Sequence, residues 1–434
     1  MNLKKKTINI ISLGCSKNLV DSEVLMRQLG DNYIVSHNLN TEADIQVVNT
    51  CGFIGDAKEE SVDTILQLTK AKSNGLTKKV FVTGCLSQRY KNDLKKEIPD
   101  VDGFFGVNDL PEILKSLEVD YKEELIGERK ITTPSHFAYL KISEGCDRDC
   151  SYCAIPLIRG KHKSKPIEEL VKEAQFLASN GVKELILIAQ DLTYYGIDIY
   201  RKRKITELVN KLSEVKGIEW IRLHYAYPAA FPLDLIDEIN DNPKVCNYLD
   251  IPLQHINNRI LKSMKRAHDK DTTINLVEKF RQKLTNASLR TTFIVGYPGE
   301  TDEEFEELYQ FVEKYKFDRM GVFQYSEEED TSAFDLKDDV DPQTKQDIAD
   351  KLMMLQQQLS LERNKEKVGL TLKVIIDRKE DPYYIGRTEF DSPEVDNEVL
   401  INIENEDLKL GEFYNVEITK ADFFDLYGKI SPEN

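Results

Sequence analysis

Along the first quarter of the chain, short apolar runs alternate with stretches whose apolar positions recur at helical spacing. Ile8 to Leu13, Ile45 to Asn49 and Lys79 to Thr83 predict strands, and amphipathic segments follow each, such as Ala57 to Lys72. That alternation predicts an α/β domain with an open parallel sheet over residues 1–125, with any ligand beyond the carboxyl ends of its strands. The stretch from Asp120 to Pro134 is charged and lacks apolar periodicity, so it reads as a linker.

Six β-like runs follow: Phe137 to Ile142, Glu184 to Ala189, Glu219 to His224, Tyr248 to Leu253, Leu289 to Val295 and Arg319 to Tyr325. Helical patterns separate them, among them Ile167 to Ser179 and Asp302 to Tyr315. Six βα units predict a partial (β/α)6 barrel over residues 133–365, with its chemistry at the strand carboxyl ends. Asp341-Pro342 opens a long helix toward Val368, and Gly369 is its stop signal. Short strands between polar turns come next, at Leu372 to Ile376, Tyr383 to Arg387, Val399 to Ile403 and Tyr414 to Ile418. With a fifth at Phe423 to Leu426, they predict a small antiparallel β-barrel over residues 366–434.

Composition narrows the class. A chain of 434 residues, 40% hydrophobic and 31% charged, is an ordinary folded protein with more than one core. The net charge of −17 argues against direct nucleic-acid binding as the dominant interaction, because such binding draws its affinity from Lys and Arg on phosphates. An acidic surface suits the steering of a basic partner, or plain solubility. No apolar run reaches the roughly 18 residues of a membrane span. Met1 to Lys6 with Ile8 to Leu13 is too short for a secretion signal and reads better as a first strand. Six of the seven cysteines fall into two spaced sets, which suits metal ligation in a reducing, cytoplasmic setting better than disulfides.

The sharper set is Gly145-Cys146-Asp147-Arg148-Asp149-Cys150-Ser151-Tyr152-Cys153, directly after the first strand of the predicted barrel. Thiolates are soft ligands suited to iron–sulfur clusters, and a full cluster takes four. Three leave one iron open, as catalytic metal sites keep a position for substrate. The competing reading is a structural zinc site or three buried cysteines. Zinc wants a fourth Cys or His, and the next histidine, His162, lies nine residues beyond Cys153 in a basic loop. The second set, Cys15, Cys51 and Cys85, is spaced by 36 and 34 residues, about one βα unit each, with every member just after a strand. Small buried hydrophobes are the alternative there. Glycine beside each thiol, in Gly14-Cys15, Cys51-Gly52 and Gly84-Cys85, favours close backbone approach and a second cluster.

The CxxxCxxC stretch and the six-strand pattern resemble the radical S-adenosylmethionine superfamily over about residues 133 to 365. The resemblance implies that Cys146, Cys150 and Cys153 form the catalytic centre, whose open iron chelates S-adenosylmethionine for reductive cleavage to a 5′-deoxyadenosyl radical. It implies that Tyr152, before the last cysteine, contacts adenine. It further implies that Gln190 and Asp191, after the second strand, support the methionine amino group. Ile294 and Gly296, within Thr292 to Glu300, would lie on the adenine side, although that Gly-Pro turn alone is ordinary strand-to-helix punctuation.

Taken whole, the chain is similar to the methylthiotransferase family, which joins such an N-terminal domain to a radical barrel and a C-terminal TRAM barrel. This resemblance implies two [4Fe-4S] clusters, the second on Cys15, Cys51 and Cys85, with S-adenosylmethionine as both methyl donor and radical source. An electron donor such as flavodoxin or ferredoxin is implied as well. The family divides mainly into enzymes acting on an adenosine of transfer RNA and enzymes acting on an aspartate of ribosomal protein S12. Gly14-Cys15-Ser16-Lys17-Asn18, Gln190-Asp191, Tyr194-Tyr195-Gly196 and Asp250-Ile251-Pro252-Leu253-Gln254-His255 look like the second branch, with a basic small-subunit ribosomal protein as substrate. Charge agrees, since residues 367–434 hold 8 Lys plus Arg against 16 Asp plus Glu, a net −8. The remaining candidates have plainer readings. Tyr383, Tyr384, Phe423 and Phe424 read as strand core rather than base-stacking groups, and Cys246 as a buried small residue. His224 and His255 read as pocket-lining or structural histidines, and Glu327 to Asp330 as a solvated loop.

Overall fold

The computed structural model describes residues 5–38, 42–284, 286–403 and 407–432. Met1 to Lys4, weighed above as part of a leader, lie outside them. Strands β1 (Thr7–Ser12), β2 (Ile34–His37), β3 (Ile45–Thr50), β4 (Lys79–Gly84) and β5 (Gly103–Phe104) form a parallel sheet in the order β2-β1-β3-β4-β5. Helices α1 (Ser16–Leu29) and α4 (Leu110–Ser116) cover one face through Leu25, Met26, Leu29, Ile113 and Leu114. The other face takes α2 (Gly55–Ser73) and α3 (Cys85–Glu97) through Ile65, Leu68 and Leu86. Central β3 is buried along its whole length, as expected of a parallel strand covered on both sides. Residues 120–134 are no free linker: Leu125 is buried, and the Arg129 guanidinium pairs with Glu23 (2.8 Å) and Glu173 (3.3 Å). Charge misled there, because the partners lie far away in sequence.

After β6 (Phe137–Lys141), a ribbon of β7 (Ser143–Glu144) and β8 (Lys163–Ser164) brackets the cysteine loop and the short α5 (Ile155–Arg159). The unit continues through α6 (Ile167–Ser179), β9 (Glu184–Ile188), α7 (Ile197–Tyr200), α8 (Ile205–Ser213), β10 (Trp220–Leu223) and α9 (Asp234–Asp241). It closes with β11 (Val245–Asp250), α10 (Asn258–Ser263), α11 (Lys270–Lys283), β12 (Ser288–Val295), α12 (Asp302–Tyr315) and β13 (Arg319–Gln324). The six strands are parallel and run β13-β12-β11-β10-β9-β6, the predicted six in the predicted sequence. Alternate residues divide between the faces. Leu185, Leu187, Ile221, Leu223 and Leu249 meet the helices in the largest core. On the concave face, Phe137, Tyr139, Ile186 and Ile188 pack on Val20 of α1, and Trp220, Cys246 and Tyr248 pack on Ile375. Cys246 is thus the buried small residue that its neighbours suggested.

Helix α13 (Pro342–Lys365), capped by Asp341 onto the Gln343 and Thr344 amides (both 3.1 Å), packs Leu352, Leu355 and Leu359 into the largest core. Strands β14 (Thr371–Glu380), β15 (Tyr383–Thr388), β16 (Glu398–Asn402), β17 (Phe413–Ala421) and β18 (Asp425–Ile430) close a barrel in the order β14-β15-β16-β18-β17. All pairings are antiparallel except β16 with β18. The fifth strand begins later than expected, and Phe423 and Phe424 precede it in a turn, 38% and 54% exposed, while Tyr384 is buried. Two adjacent aromatics cannot both face a core from one strand.

Buried ion pairs lock this barrel beneath the six-stranded one. Glu184 accepts from Arg222 (2.7 Å) and pairs with Arg387 (2.8 Å), whose guanidinium also holds Asp377 (2.6 Å). The segment after β15 sends Asp391 to Arg319, Ser392 to His224 (2.9 Å) and Asp396 to Arg290 (3.2 Å) and Tyr248 (2.8 Å). His224 is therefore a structural histidine, as is His255, paired with Glu300 (3.1 Å). The loop at Glu327 to Asp330 is solvated as expected at Glu327, Glu329 and Asp330, with one exception. Glu328 is buried and accepts from Arg89 (2.6 Å) and Lys58 (3.1 Å) across the N-terminal unit.

Candidate active site

The CxxxCxxC loop leaves β7 through Gly145, whose φ is +73°. A Cβ there would fall 2.2 Å from the Lys161 carbonyl oxygen and 2.6 Å from that of Gly160, so only glycine lets the loop cross the ribbon. Cys146 N donates to Gly160 O (3.0 Å) and Cys153 N to Cys150 O (3.1 Å), which folds the three thiols together. Burial pushes the Cys153 thiol up to about 12, with Cys150 and Cys146 adding to the rise, and burial also raises Cys146 to about 11. Thiols so placed become thiolates readily only with cations to hold them. Arg266, half-buried, donates to Cys150 Sγ (3.5 Å), Tyr152 Oη (3.3 Å) and Pro252 O (2.8 Å).

Tyr152 and Ile294 meet in one apolar cluster with Ile260, Met264 and Tyr297, so these two expected adenine-side residues share a wall. Gly296 has a reason of its own, since a Cβ would lie 2.3 Å from Cγ of Lys345, which crosses there from α13. Gln190 donates to Glu144 (3.1 Å), while its Oε1 is buried without a hydrogen-bond partner. Asp191 is fully engaged by the protein, accepting from Arg148 (3.0 Å) and Thr193 (2.7 Å), with the Arg148 guanidinium stacked on Tyr227 at 4.1 Å. His162 is occupied by Ser164 (3.0 Å).

The second set converges as the topology requires. Cys15 precedes α1, Cys51 follows β3 and Cys85 opens α3. A Cβ on Gly14 would sit 2.7 Å from Cys51 Cβ and 2.8 Å from its Sγ, and one on Gly52 would sit 2.9 Å from the Cys85 carbonyl carbon. Burial chiefly pushes Cys85 up to about 12, and Cys15 and Cys51 both contribute. Cys15 is exposed, so this site opens outward. Among the described residues, no three His, Cys, Asp or Glu side chains are gathered tightly enough to hold a single metal ion. A structural zinc takes four protein ligands, whereas a cubane can keep one iron open, so three thiols with no fourth ligand fit a cluster better.

Arg159, which sequence reasoning missed, ties the second set to the segment that follows the first. It ends α5, six residues beyond Cys153, and is 3% exposed. One nitrogen donates to Asn18 Oδ1 and to Cys85 Sγ (3.5 Å), and the other to Glu144 (2.9 Å) and Asp21 (3.2 Å). Lys141 bonds the same two carboxylates. Burial opposes ionisation of Glu144, yet Lys141 and Arg159 hold it down to about 2. Cys85 packs directly on Ala154 and Ile158, in the segment just after Cys153. A lone arginine closing the apolar run Ala154 to Ile158 was the available signal.

Comparison with known proteins places this geometry. The Radical SAM superfamily matches residues 140–312, Uncharacterized protein family UPF0004 residues 7–106 and the TRAM domain residues 368–430. The chain is 59% identical over 431 residues to the ribosomal protein uS12 methylthiotransferase RimO of Flavobacterium johnsoniae, covering 99% of both chains. It is 57% identical over 430 residues to that of Christiangramia forsetii, covering 99% of this chain and 95% of that one. This chain belongs to the RimO methylthiotransferase family. As a RimO family member with a radical SAM domain it is a transferase that uses an iron–sulfur cluster and S-adenosylmethionine. A solved radical S-adenosylmethionine methyltransferase from Kitasatospora setae superposes with a TM-score of 0.56 at 12% identity, covering 88% of this chain and 81% of that one, so the two share a fold.

Proposed function

We propose that this protein installs a methylthio group on an aspartate side-chain carbon of ribosomal protein uS12. The observation that carries the reading is the packing of the second cysteine set on the segment that follows the first: Cys85 lies against Ala154 and Ile158, and Arg159 bonds both Cys85 and Glu144. Two cysteine-bearing segments packed together suit a reaction in which one site activates a carbon and the other delivers sulfur to it.

Cys146, Cys150 and Cys153 would hold one [4Fe-4S] cluster, and Cys15, Cys51 and Cys85 a second. When bound, the first would supply the electron that cleaves S-adenosylmethionine reductively, and the second would carry the sulfur species that reaches the product. The protein groups around them have separable tasks. Arg266 offsets thiolate charge at Cys150, and Arg159 does so at Cys85. Tyr152, Ile294 and Tyr297 give a purine an apolar wall, and the buried Gln190 Oε1 is an acceptor for a ligand ammonium. Arg148, stacked on Tyr227 and paired with Asp191, fixes the loop between the first cysteine and the end of β9. We further assign residues 1–125, 133–365 and 366–434 as the three units, the cytoplasm as the location, and a flavodoxin or ferredoxin as reductant. No helix among the described residues is long and apolar enough to cross a membrane.

Anaerobically reconstituted protein given dithionite and S-adenosylmethionine should release 5′-deoxyadenosine. Ribosomal protein uS12 from cells carrying the gene should be heavier, by one methylthio group, than uS12 from cells lacking it. An unchanged uS12 beside a methylthiolated transfer RNA adenosine would replace the substrate.

A further inference from the structure

Lys17 stands in the Cys15–Asn18 stretch, and nothing in the cluster chemistry above employs it. Its side chain is 8% exposed, and its ammonium, which is not among the buried polar atoms, shows no hydrogen-bond acceptor or carboxylate partner among the described residues. Its one close neighbour is the ring of Tyr225, whose centroid lies 3.4 Å from Nζ. An ammonium carried on an enclosed stem, held against an aromatic face and left without a carboxylate, has its donors free for an arriving anion.

The setting points the same way. Tyr225 follows β10, at the carboxyl end of the sheet where ligands of such barrels bind. Its φ is +63°, a conformation that an aromatic residue adopts only under restraint. Asp250 supplies that restraint: its carboxylate accepts from Tyr225 N (3.1 Å) and its carbonyl from Ala226 N (2.9 Å), while Tyr225 O accepts from Leu192 N (3.1 Å). The ring is thereby held at the rim, and Lys17 is laid across it. Lys17 therefore sits two residues from Cys15 and against a ring at the carboxyl end of the barrel sheet at once.

We propose that Lys17 recognises the carboxylate of the side chain undergoing modification and so selects an acidic residue over its amide. This rests on the uS12 reading above and adds to it the group that reads the target's charge. The ammonium donates to the carboxylate while the Tyr225 face holds it in place, leaving the carbon next to the carboxylate turned toward the thiol sites. The rival role is as a counter-charge for whatever Cys15 ligates.

The test measures binding of two fluorescent uS12 peptides, one with the target Asp and one with Asn in its place, to anaerobically reconstituted wild-type protein, Lys17→Met and Lys17→Arg. Iron content and an electron paramagnetic resonance redox titration accompany each. Wild type should prefer the Asp peptide by roughly 10- to 100-fold, the range of a charge-assisted hydrogen bond. Lys17→Met should erase that preference by weakening the Asp peptide alone, and Lys17→Arg should restore most of it. The proposal fails if Lys17→Met keeps the preference, if it weakens both peptides alike, or if it only lowers iron or shifts the cluster potential, which assigns Lys17 to the cluster. If wild type binds neither peptide and leaves uS12 unmodified, the substrate reading falls and this proposal with it; a modified uS12 with Asp and Asn bound equally overturns this proposal alone.

Discussion

At the scale of single residues, the two thiol sets depend on side chains that fit nowhere else. Arg159 bonds Asn18, Cys85, Glu144 and Asp21 from one guanidinium, a fork that no other cation reproduces. Replacing it with Met leaves two carboxylates to Lys141 alone, and removing one partner of a buried ion pair costs about 3 kcal/mol or more. Arg159→Met should therefore unfold at clearly lower urea and retain less iron than wild type, whereas Arg159→Lys recovers stability but not full iron loading. Equal midpoints for Arg159→Met and wild type would contradict the buried network. Gly14 is as constrained by space. Its φ is +82°, and an added Cβ would strike Cys51 at 2.7 Å. Gly14→Ala should lose the iron bound by Cys15, Cys51 and Cys85 while 5′-deoxyadenosine formation persists, and iron analysis beside that assay separates the two sites.

At the scale of elements, the docking of the C-terminal barrel is electrostatic as well as apolar, and so it responds to pH. Glu184 is fully enclosed, which opposes ionisation, yet Arg387 and Arg222 hold its pKa below the ordinary carboxylate value. Asp377 is lowered by Arg387 and His136, and Asp391 by Arg319 and Lys367, each against its burial. A carboxylate whose folded pKa is depressed contributes stability that is present above its unfolded value and is lost as pH falls through the folded one. Acid should therefore release this interface, raising hydrogen exchange in residues 371–388 below about pH 4 before the six-stranded unit opens. Glu184→Gln should shift that release to milder acid; simultaneous opening of both units in wild type would count against the account.

What the sequence disclosed follows the same division. Helices α6 and α12 were legible to the residue, because an amphipathic stripe and, for α12, the Thr301–Glu304 capping box mark their limits. The six barrel strands were legible because each is a short apolar run between helices. Strands β2 and β5 were not: Ile34 in edge strand β2 is half exposed, and β5 has two residues, one of them glycine. The candidate thiols stood out by their spacing, local for Cys146, Cys150 and Cys153 and one βα unit apart for Cys15, Cys51 and Cys85, but Arg159, Lys141 and Lys17 take their meaning from contacts across units, which no local pattern encodes.

For the whole molecule, the net charge of −17 matters through where it lies. Asp377, Asp391 and Asp396 of the acidic C-terminal segment face inward onto His136, Arg319 and Arg290, so they hold the units together and add little to the outer field. Glu380 and Glu412 keep half or more of their side-chain surface exposed, and Glu417 about two fifths. Each also meets a surface cation, Arg378, Lys183 or Lys429, yet stays exposed enough to join the outer field that can steer a basic ribosomal protein; steering acts on the association rate and fades once charges lie more than a Debye length apart, about 10 Å at 0.1 M salt. Association with uS12 should accordingly slow by about tenfold or more between low and high ionic strength, with a much smaller change in dissociation. Changing Glu380, Glu412 and Glu417 together to Lys should remove most of that salt dependence without altering the buried pairs. Stopped-flow association at several salt concentrations checks it, and a rate indifferent to salt in the wild-type protein would show that the acidic surface serves solubility rather than encounter.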